Sequence, residues 1–253
     1  MKIAVSGKGG VGKTTIAAGL IKFLEEKGYQ VIAVDADPDL SLGTVLGLPD
    51  EQIDHIKPIV DMRDLILERT GDGAFFTMNP EVDDLIDEFS IPLGNIRFLK
   101  MGAVKQGGSS CYCRENTVLH ALVASLLLRK DQVVVLDMGA GIEHLTRGTA
   151  KGVDMMLIVT EPSRTSLHTA KTVHALARDL GIEHIRYIGN KIRNQQEEAY
   201  LKDNLGHHNF LGFLQFQESL NILSMNPDSG SLQKLAEILS PIGEQLLKEV
   251  GKS

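Results

Sequence analysis

Residues 7–15 read Gly7-Lys8-Gly9-Gly10-Val11-Gly12-Lys13-Thr14-Thr15. The spacing is G-x-x-x-x-G-K-[ST], with a second lysine, Lys8, near its start. Small glycines let backbone N–H groups converge on an anion, and a helix that follows aims its positive end at the same point. Lys13 can reach the β- and γ-phosphates of a nucleotide, and the Thr14 hydroxyl can bind Mg²⁺. Such a loop requires a strand before it and a helix after it. Lys2 to Ser6 is a short apolar run that supplies the strand. Thr14 to Lys27 carries Ile16, Ala17, Leu20, Ile21, Phe23 and Leu24 at helical spacing, and Gly28 ends it. Lys8 is left over, because a lysine so early in the loop cannot easily reach phosphates held by its own chain.

Further apolar runs follow at 31–35, 95–99, 132–137, 155–159, 185–189 and 210–214. Helical patterns lie between them at 115–129, 163–180, 195–205 and 232–250. Continuous apolar strands alternating with helices predict an α/β fold, a mostly parallel central sheet with helices on both faces. The 253 residues are 43% hydrophobic, enough for one core, so a single domain over 1–253 is expected. Residues 39–94 are rich in Asp, Pro and Gly and read as an excursion holding short helices.

The net charge of −7 argues against nonspecific binding to DNA or anionic membrane. No apolar run approaches the roughly 18 residues of a membrane span, and the first residues form a strand, not a signal peptide. A cytoplasmic protein is expected, with no nucleic-acid or membrane partner.

Ligands of a parallel sheet bind beyond the carboxyl ends of its strands. The phosphate loop, Asp35-Ala36-Asp37-Pro38-Asp39 and Asp137-Met138-Gly139-Ala140-Gly141 all follow strands. Together they predict a phosphate–Mg²⁺ site. Asp137 ends an apolar strand, as an acid does when it holds a Mg²⁺-bound water, and Asp37 can orient the attacking water. Gly139 and Gly141 let their loop move when the γ-phosphate leaves. Asp35 and Asp39 serve equally well as capping or turn residues.

The second informative segment is 106–114, where a Gly–Ser run leads to Cys111 and Cys113 just before a helix. Thiolates at a helix N-terminus have a lowered pKa. Cysteines two apart can give two ligands to one metal, a closed tetrahedral site wants four, and the chain has no other cysteine. The pair is open to four readings: inert small residues, a redox pair, a structural zinc, or a functional metal or cluster site. Softness admits Zn²⁺, Ni²⁺, Cu(I) or an Fe–S cluster.

Residues 8–15 resemble the deviant Walker A motif of the P-loop ATPases that include the nitrogenase iron protein, arsenite-pump ATPases and the partition and septum-site ATPases. Asp35-Ala36-Asp37-Pro38 is similar to that family's switch I, and Asp137 to Gly141 to its switch II. Thr160-Glu161-Pro162-Ser163 and Asn190-Lys191-Ile192-Arg193 also look like family elements. The resemblance implies ATP hydrolysis to ADP with Mg²⁺ in a nucleotide-dependent homodimer. Residues Gly9, Gly10, Val11, Gly12, Lys13, Thr14 and Thr15 would hold the nucleotide. Lys8 would cross the interface to the partner's phosphates, and Asn190 stands where the family contacts adenine. Two-fold pairing would bring two Cys111/Cys113 pairs together as Cys₄ around one shared transition metal, Ni²⁺ or Zn²⁺.

A Cys-x-Cys after a glycine-rich stretch, midway in such an ATPase, looks like the CooC-type accessory ATPases that assist nickel insertion into carbon monoxide dehydrogenase. That resemblance implies a metallochaperone whose client is such an enzyme. Nitrogenase-type reductases place a second cluster cysteine in switch II, where this chain has Ala140. Two alternatives stand beside this reading: a nucleotide-switched partition or positioning ATPase that binds membrane or DNA, and an Fe–S reductase. The first would want a basic amphipathic tail. Residues 231–253 instead offset Lys234, Lys248 and Lys252 with Glu237, Glu244 and Glu249, as an ordinary packing helix does.

Overall fold

Strand β1 (Lys2–Gly7) and helix α1 (Lys13–Glu26) flank the phosphate loop as the motif requires. The structure is a computed structural model that describes residues 1–71, 77–78, 80–102, 113–128, 132–142, 145–146, 150, 152–218 and 229–251. After α1 come β2 (Val31–Ala36), α2 (Leu42–Val45), α3 (Asp50–His55), α4 (Arg63–Thr70) and α5 (Asp83–Phe89). Strands β3 (Ile91–Leu93) and β4 (Ile96–Lys100) precede α6 (Cys113–Leu128) and β5 (Val133–Met138). The chain closes with β6 (Met155–Thr160), α7 (Arg164–Leu180), β7 (Ile185–Ile192), α8 (Gln195–Leu205), β8 (Phe210–Gln215) and α9 (Ser229–Val250).

The eight strands form one sheet in the order β3-β4-β2-β5-β1-β6-β7-β8. Every pairing is parallel except β3 with β4. Alternate residues of each strand feed two cores. Ile3, Val5, Ala33, Val135 and Leu157 pack under α1 and α9, where Leu20, Leu24, Leu239 and Leu246 are buried. Ala4, Val34, Leu136 and Ile158 pack under Leu122 of α6, Val173 of α7 and Leu201 of α8. Helices thus cover both faces, which is why the central strands read as continuous apolar runs. Residues 39–94 do hold short helices, with Leu85 and Ile86 of α5 fully buried in the second core.

Helices α1 and α9 approach so closely that a Cβ at Gly19 would lie 2.3 Å from Leu239 Cδ1. The apolar side of α9 is spent on this contact: Leu235, Leu239, Ile242 and Leu246 are all buried. An ion pair between Arg186 Nε and Glu249 Oε2 at 2.7 Å, and another between Lys27 and Glu244, fasten its outer side. Among the described residues no helix is long and apolar enough to cross a membrane.

Strand β1 lies between β5 and β6, with β2 beyond β5. From β1 the chain crosses to one side, and after β5 it crosses back to the other. A crevice opens where such an order reverses, at the carboxyl ends of the strands. The phosphate loop sits there.

Candidate nucleotide site

The loop turns on its glycines. Gly10 has φ 81° and Gly12 φ 94°, both left-handed. The Val11 N–H donates weakly, at 3.4 Å, to the Lys8 carbonyl across the turn. Gly12 is fixed by space as well as by φ, because a Cβ there would lie 2.5 Å from Asn190 Nδ2. Helix α1 then begins at Lys13, so its unpaired N–H groups face the loop.

The three strand ends predicted to meet do meet. Asp35 and Asp137 are direct neighbours in the β2–β5 register, and Val5 stands beside Asp137 on β1. Lys13 Nζ lies 3.2 Å from Asp37 Oδ2, with both side chains 9% exposed. Asp37 Oδ1 accepts the Asp39 N–H at 3.0 Å, which folds the loop after β2 back on itself. Ser41 Oγ stands 3.3 Å from Thr14 Oγ1, joining that loop to α1. On the other side, Ser6 Oγ donates to the Gly139 carbonyl at 2.8 Å. The loop after β5 is thereby tied to β1, and Gly139 packs beside Pro38.

Asp35 and Asp137 are both fully buried. Burial first, then the charge of Asp137, pushes the Asp35 carboxyl up to about 7. Its Oδ2 accepts the Leu42 N–H at 2.9 Å, but its Oδ1 has no partner among the described residues. Burial likewise pushes Asp137 up to about 6. The neighbouring Thr14 hydroxyl and Lys13 ammonium lower it in part, yet neither Asp137 oxygen completes a hydrogen bond among the described residues. Orphaned buried carboxylate oxygens are costly and call for a cation or a water held by one. The donor set, a hydroxyl and carboxylates, is all oxygen and suits Mg²⁺. These residues fit that ion: Thr14 and Asp137 would hold it, directly or through water.

Asn190, expected near an adenine base, donates from Nδ2 to the Val11 carbonyl at 2.8 Å and accepts the Lys191 N–H on Oδ1. One residue without an assigned role at the sequence level, Lys191, also reaches the loop, and a second, Glu161, reaches Lys191. Lys191 Nζ donates to the Gly10 carbonyl at 2.6 Å and pairs with Glu161 at 3.3 Å. Their signal was the polar Asn190-Lys191 pair ending an apolar strand.

Among the described residues, three that are not glycine adopt left-handed φ: Leu40 at 48°, Ile142 at 49° and Lys191 at 59°. They lie in the loops after β2 and β5 and in the last residues of β7, at the carboxyl-end side of the sheet. Strain of this kind gathers at ligand clamps and switch regions. Lys8 is half-buried, and its ammonium forms no ion pair among the described residues. Cys111 lies outside the described residues. The backbone of Cys113 is the first of α6, two residues before the helix start expected at 115, and its side chain lies outside the described residues. Among the described residues no group of three or more His, Cys, Asp or Glu could hold a metal ion.

A glycine loop between a central parallel strand and a helix, with buried acids on the next two strands, defines a P-loop nucleotide-binding protein. The chain belongs to the CobQ/CobB/MinD/ParA nucleotide binding domain family, whose model matches residues 2–228. It is 41% identical over 224 residues to the carbon monoxide dehydrogenase accessory protein CooC of Rhodospirillum rubrum, covering 87% of this chain and 85% of that one. It is 45% identical over 228 residues to a protein of Methanocaldococcus jannaschii described as an uncharacterized ATP-binding protein, covering 87% of each. Among solved structures it is similar to MinD in the MinC:MinD cell division complex of Aquifex aeolicus. That match has a TM-score of 0.70 at 18% identity, covering 98% of this chain and 96% of that one. The chain is thus a CooC-like ATP-binding protein of the MinD/ParA family.

Proposed function

We propose that this chain is an ATP-hydrolysing, homodimeric metallochaperone that assists nickel insertion into a carbon monoxide dehydrogenase in the cytoplasm. The observation that carries the reading is the 41% identity to CooC across 87% of the chain. Cys111 and Cys113 add a metal-ligating pair in the sequence.

The Lys13–Asp37 ion pair suggests how the site is held ready. Asp37 keeps the buried lysine in place while no phosphate is bound. Incoming β- and γ-phosphates compete for Lys13, which frees Asp37 to orient a water for attack on the γ-phosphorus. The P–O bond to ADP breaks, its electron pair stays on ADP, and the water's oxygen ends in phosphate. Mg²⁺, when bound, neutralises charge on the phosphate oxygens. Gly9 to Thr15 cradle the phosphates, and Asn190 stands close enough to the loop to meet the base.

Lys8 has no phosphate of its own to reach, so the reading assigns it to the partner chain's nucleotide. Closure of the dimer would gather two Cys111/Cys113 pairs around one transition metal, the cargo. Hydrolysis loosens the dimer and releases the ion to the client. No nucleic acid or membrane surface enters this reading.

The test is ATP turnover coupled to nickel transfer into a nickel-free carbon monoxide dehydrogenase. Wild type should show both, and Lys13→Ala should show neither. Unaltered turnover in Lys13→Ala would remove the hydrolytic part of the reading. Nickel transfer independent of ATP would remove the chaperone part.

A further inference from the structure

We infer that Lys191, held by Glu161, is a positioning residue that orients the peptide planes of the phosphate loop; this rests on the nucleotide-binding reading of that loop. The peptide bond is planar. In a trans peptide the C=O and N–H lie in one plane and point in opposite directions. Fixing where a carbonyl points therefore fixes where the next residue's N–H points.

Two successive loop carbonyls are fixed from outside. Lys191 Nζ takes the Gly10 carbonyl at 2.6 Å, and Asn190 Nδ2 takes the Val11 carbonyl at 2.8 Å. The N–H groups of Val11 and Gly12 are thereby turned the other way, into the loop. The Val11 N–H does point inward, toward the Lys8 carbonyl across the turn. Its 3.4 Å bond is long enough to yield to a phosphate oxygen. A loop of glycines has many conformations, so its affinity for an anion depends on being held in one.

Lys191 is itself held. Its ammonium pairs with Glu161 Oε2 at 3.3 Å. The Glu161 N–H donates to Ser166 Oγ at 3.1 Å, and that buried hydroxyl also meets Thr160 Oγ1 at 2.9 Å. The first turn of α7 is thus connected through Glu161 and Lys191 to the phosphate loop. The backbone of Lys191 is left-handed, at φ 59°, a conformation costly for a lysine. Glycine would adopt it freely. That the position carries a long cation in a glycine conformation is accounted for by the side chain's reach to Gly10.

The experiment compares Lys191→Met, Lys191→Arg, Lys191→Gly and Glu161→Gln with wild type. Lys191→Met keeps the stem and removes the donor. Lys191→Gly removes the side chain while relaxing the backbone, so it separates the two roles. The first readout is amide hydrogen exchange of residues 6–13 in nucleotide-free protein, which needs no ATPase activity. The second is KM against kcat for ATP.

Exchange in the loop should quicken about tenfold in Lys191→Met and Lys191→Gly, on the scale of one lost charge-assisted hydrogen bond. KM should rise about tenfold, with kcat changed less than about threefold. Lys191→Arg should restore most of both, and Glu161→Gln should fall between. Unchanged loop exchange in Lys191→Met would overturn the inference. So would an equal effect in Lys191→Arg and Lys191→Met. If wild type neither binds nor hydrolyses ATP, the nucleotide reading fails, while the exchange result still decides the role of Lys191.

Discussion

Asp35→Asn should stabilise the nucleotide-free protein above neutral pH. Asp35 is fully buried beside Asp137, and its carboxyl is pushed from 3.8 up to about 7. A carboxyl whose pKa is raised on folding takes up a proton as the chain folds. Its contribution to stability is present while it stays protonated and is lost as pH rises from about 4 through about 7. Above that, the folded protein carries a buried charge that the unfolded chain would carry in water. A rise from 3.8 to about 7 corresponds to a ceiling of roughly 4 kcal/mol. Relaxation and water entry reduce such penalties, so about 1–2 kcal/mol should be recovered.

Asparagine has the same shape and keeps an oxygen for the Leu42 N–H, now accepted at 2.9 Å. Its amide can also donate toward the orphaned oxygens of Asp137. For a domain of this size, 1–2 kcal/mol is about 2–8 °C in Tm. The assay is thermal unfolding of both proteins without nucleotide, at about pH 8.5 and about pH 6. The gain should appear at the higher pH and shrink at the lower one, where Asp35 is mostly protonated. An equal gain at both values, or a loss at the higher pH, would refute the reasoning.

Gly12→Ala should abolish nucleotide binding, since the new Cβ meets Asn190 Nδ2 at 2.5 Å and φ is 94°; isothermal titration with ADP checks this, and wild-type affinity would contradict it. Lys8→Ala should keep nucleotide binding within about threefold, because uniform binding comes from the loop and Lys13. It should lose ATP-dependent dimerisation and turnover, as read by light scattering and phosphate release; full turnover by a monomer would contradict the role given to Lys8.

How much of this was legible in the sequence follows from the range of the interactions involved. The phosphate loop, β1 and α1 are local: glycine conformations, apolar spacing and a Gly28 stop are written in consecutive residues. The meeting of Asp37 and Asp137 with the loop was legible because strand ends of a parallel sheet converge by rule. Strand β3 was not. It is three residues with Pro92 at its centre, and proline reads as a breaker. It is tolerated there because, among the described residues, β3 is an edge strand that pairs only with β4. The burial of Asp35 was equally hidden. Its neighbour Asp137 is 102 positions away in sequence and adjacent only through the β2–β5 register. Lys191 and Glu161 acquire their role the same way, through the adjacency of β6, β7 and the loop after β1. Asn190 was legible as a residue at the site, but its bond to Val11 was not. The cysteine pair was legible only as two thiols two residues apart, and Cys111 lies outside the described residues.

The central claim is that nucleotide closes a dimer and that two chains then share one metal. It is tested most directly by metal content and oligomeric state of anaerobically purified protein loaded with Ni²⁺ or Zn²⁺, with and without ATP, beside a Cys111→Ser/Cys113→Ser variant. Tetrahedral Cys₄ ligation predicts one metal per two chains in the ATP-bound dimer, and none in the variant. One metal per chain, unaffected by the double substitution, would contradict it.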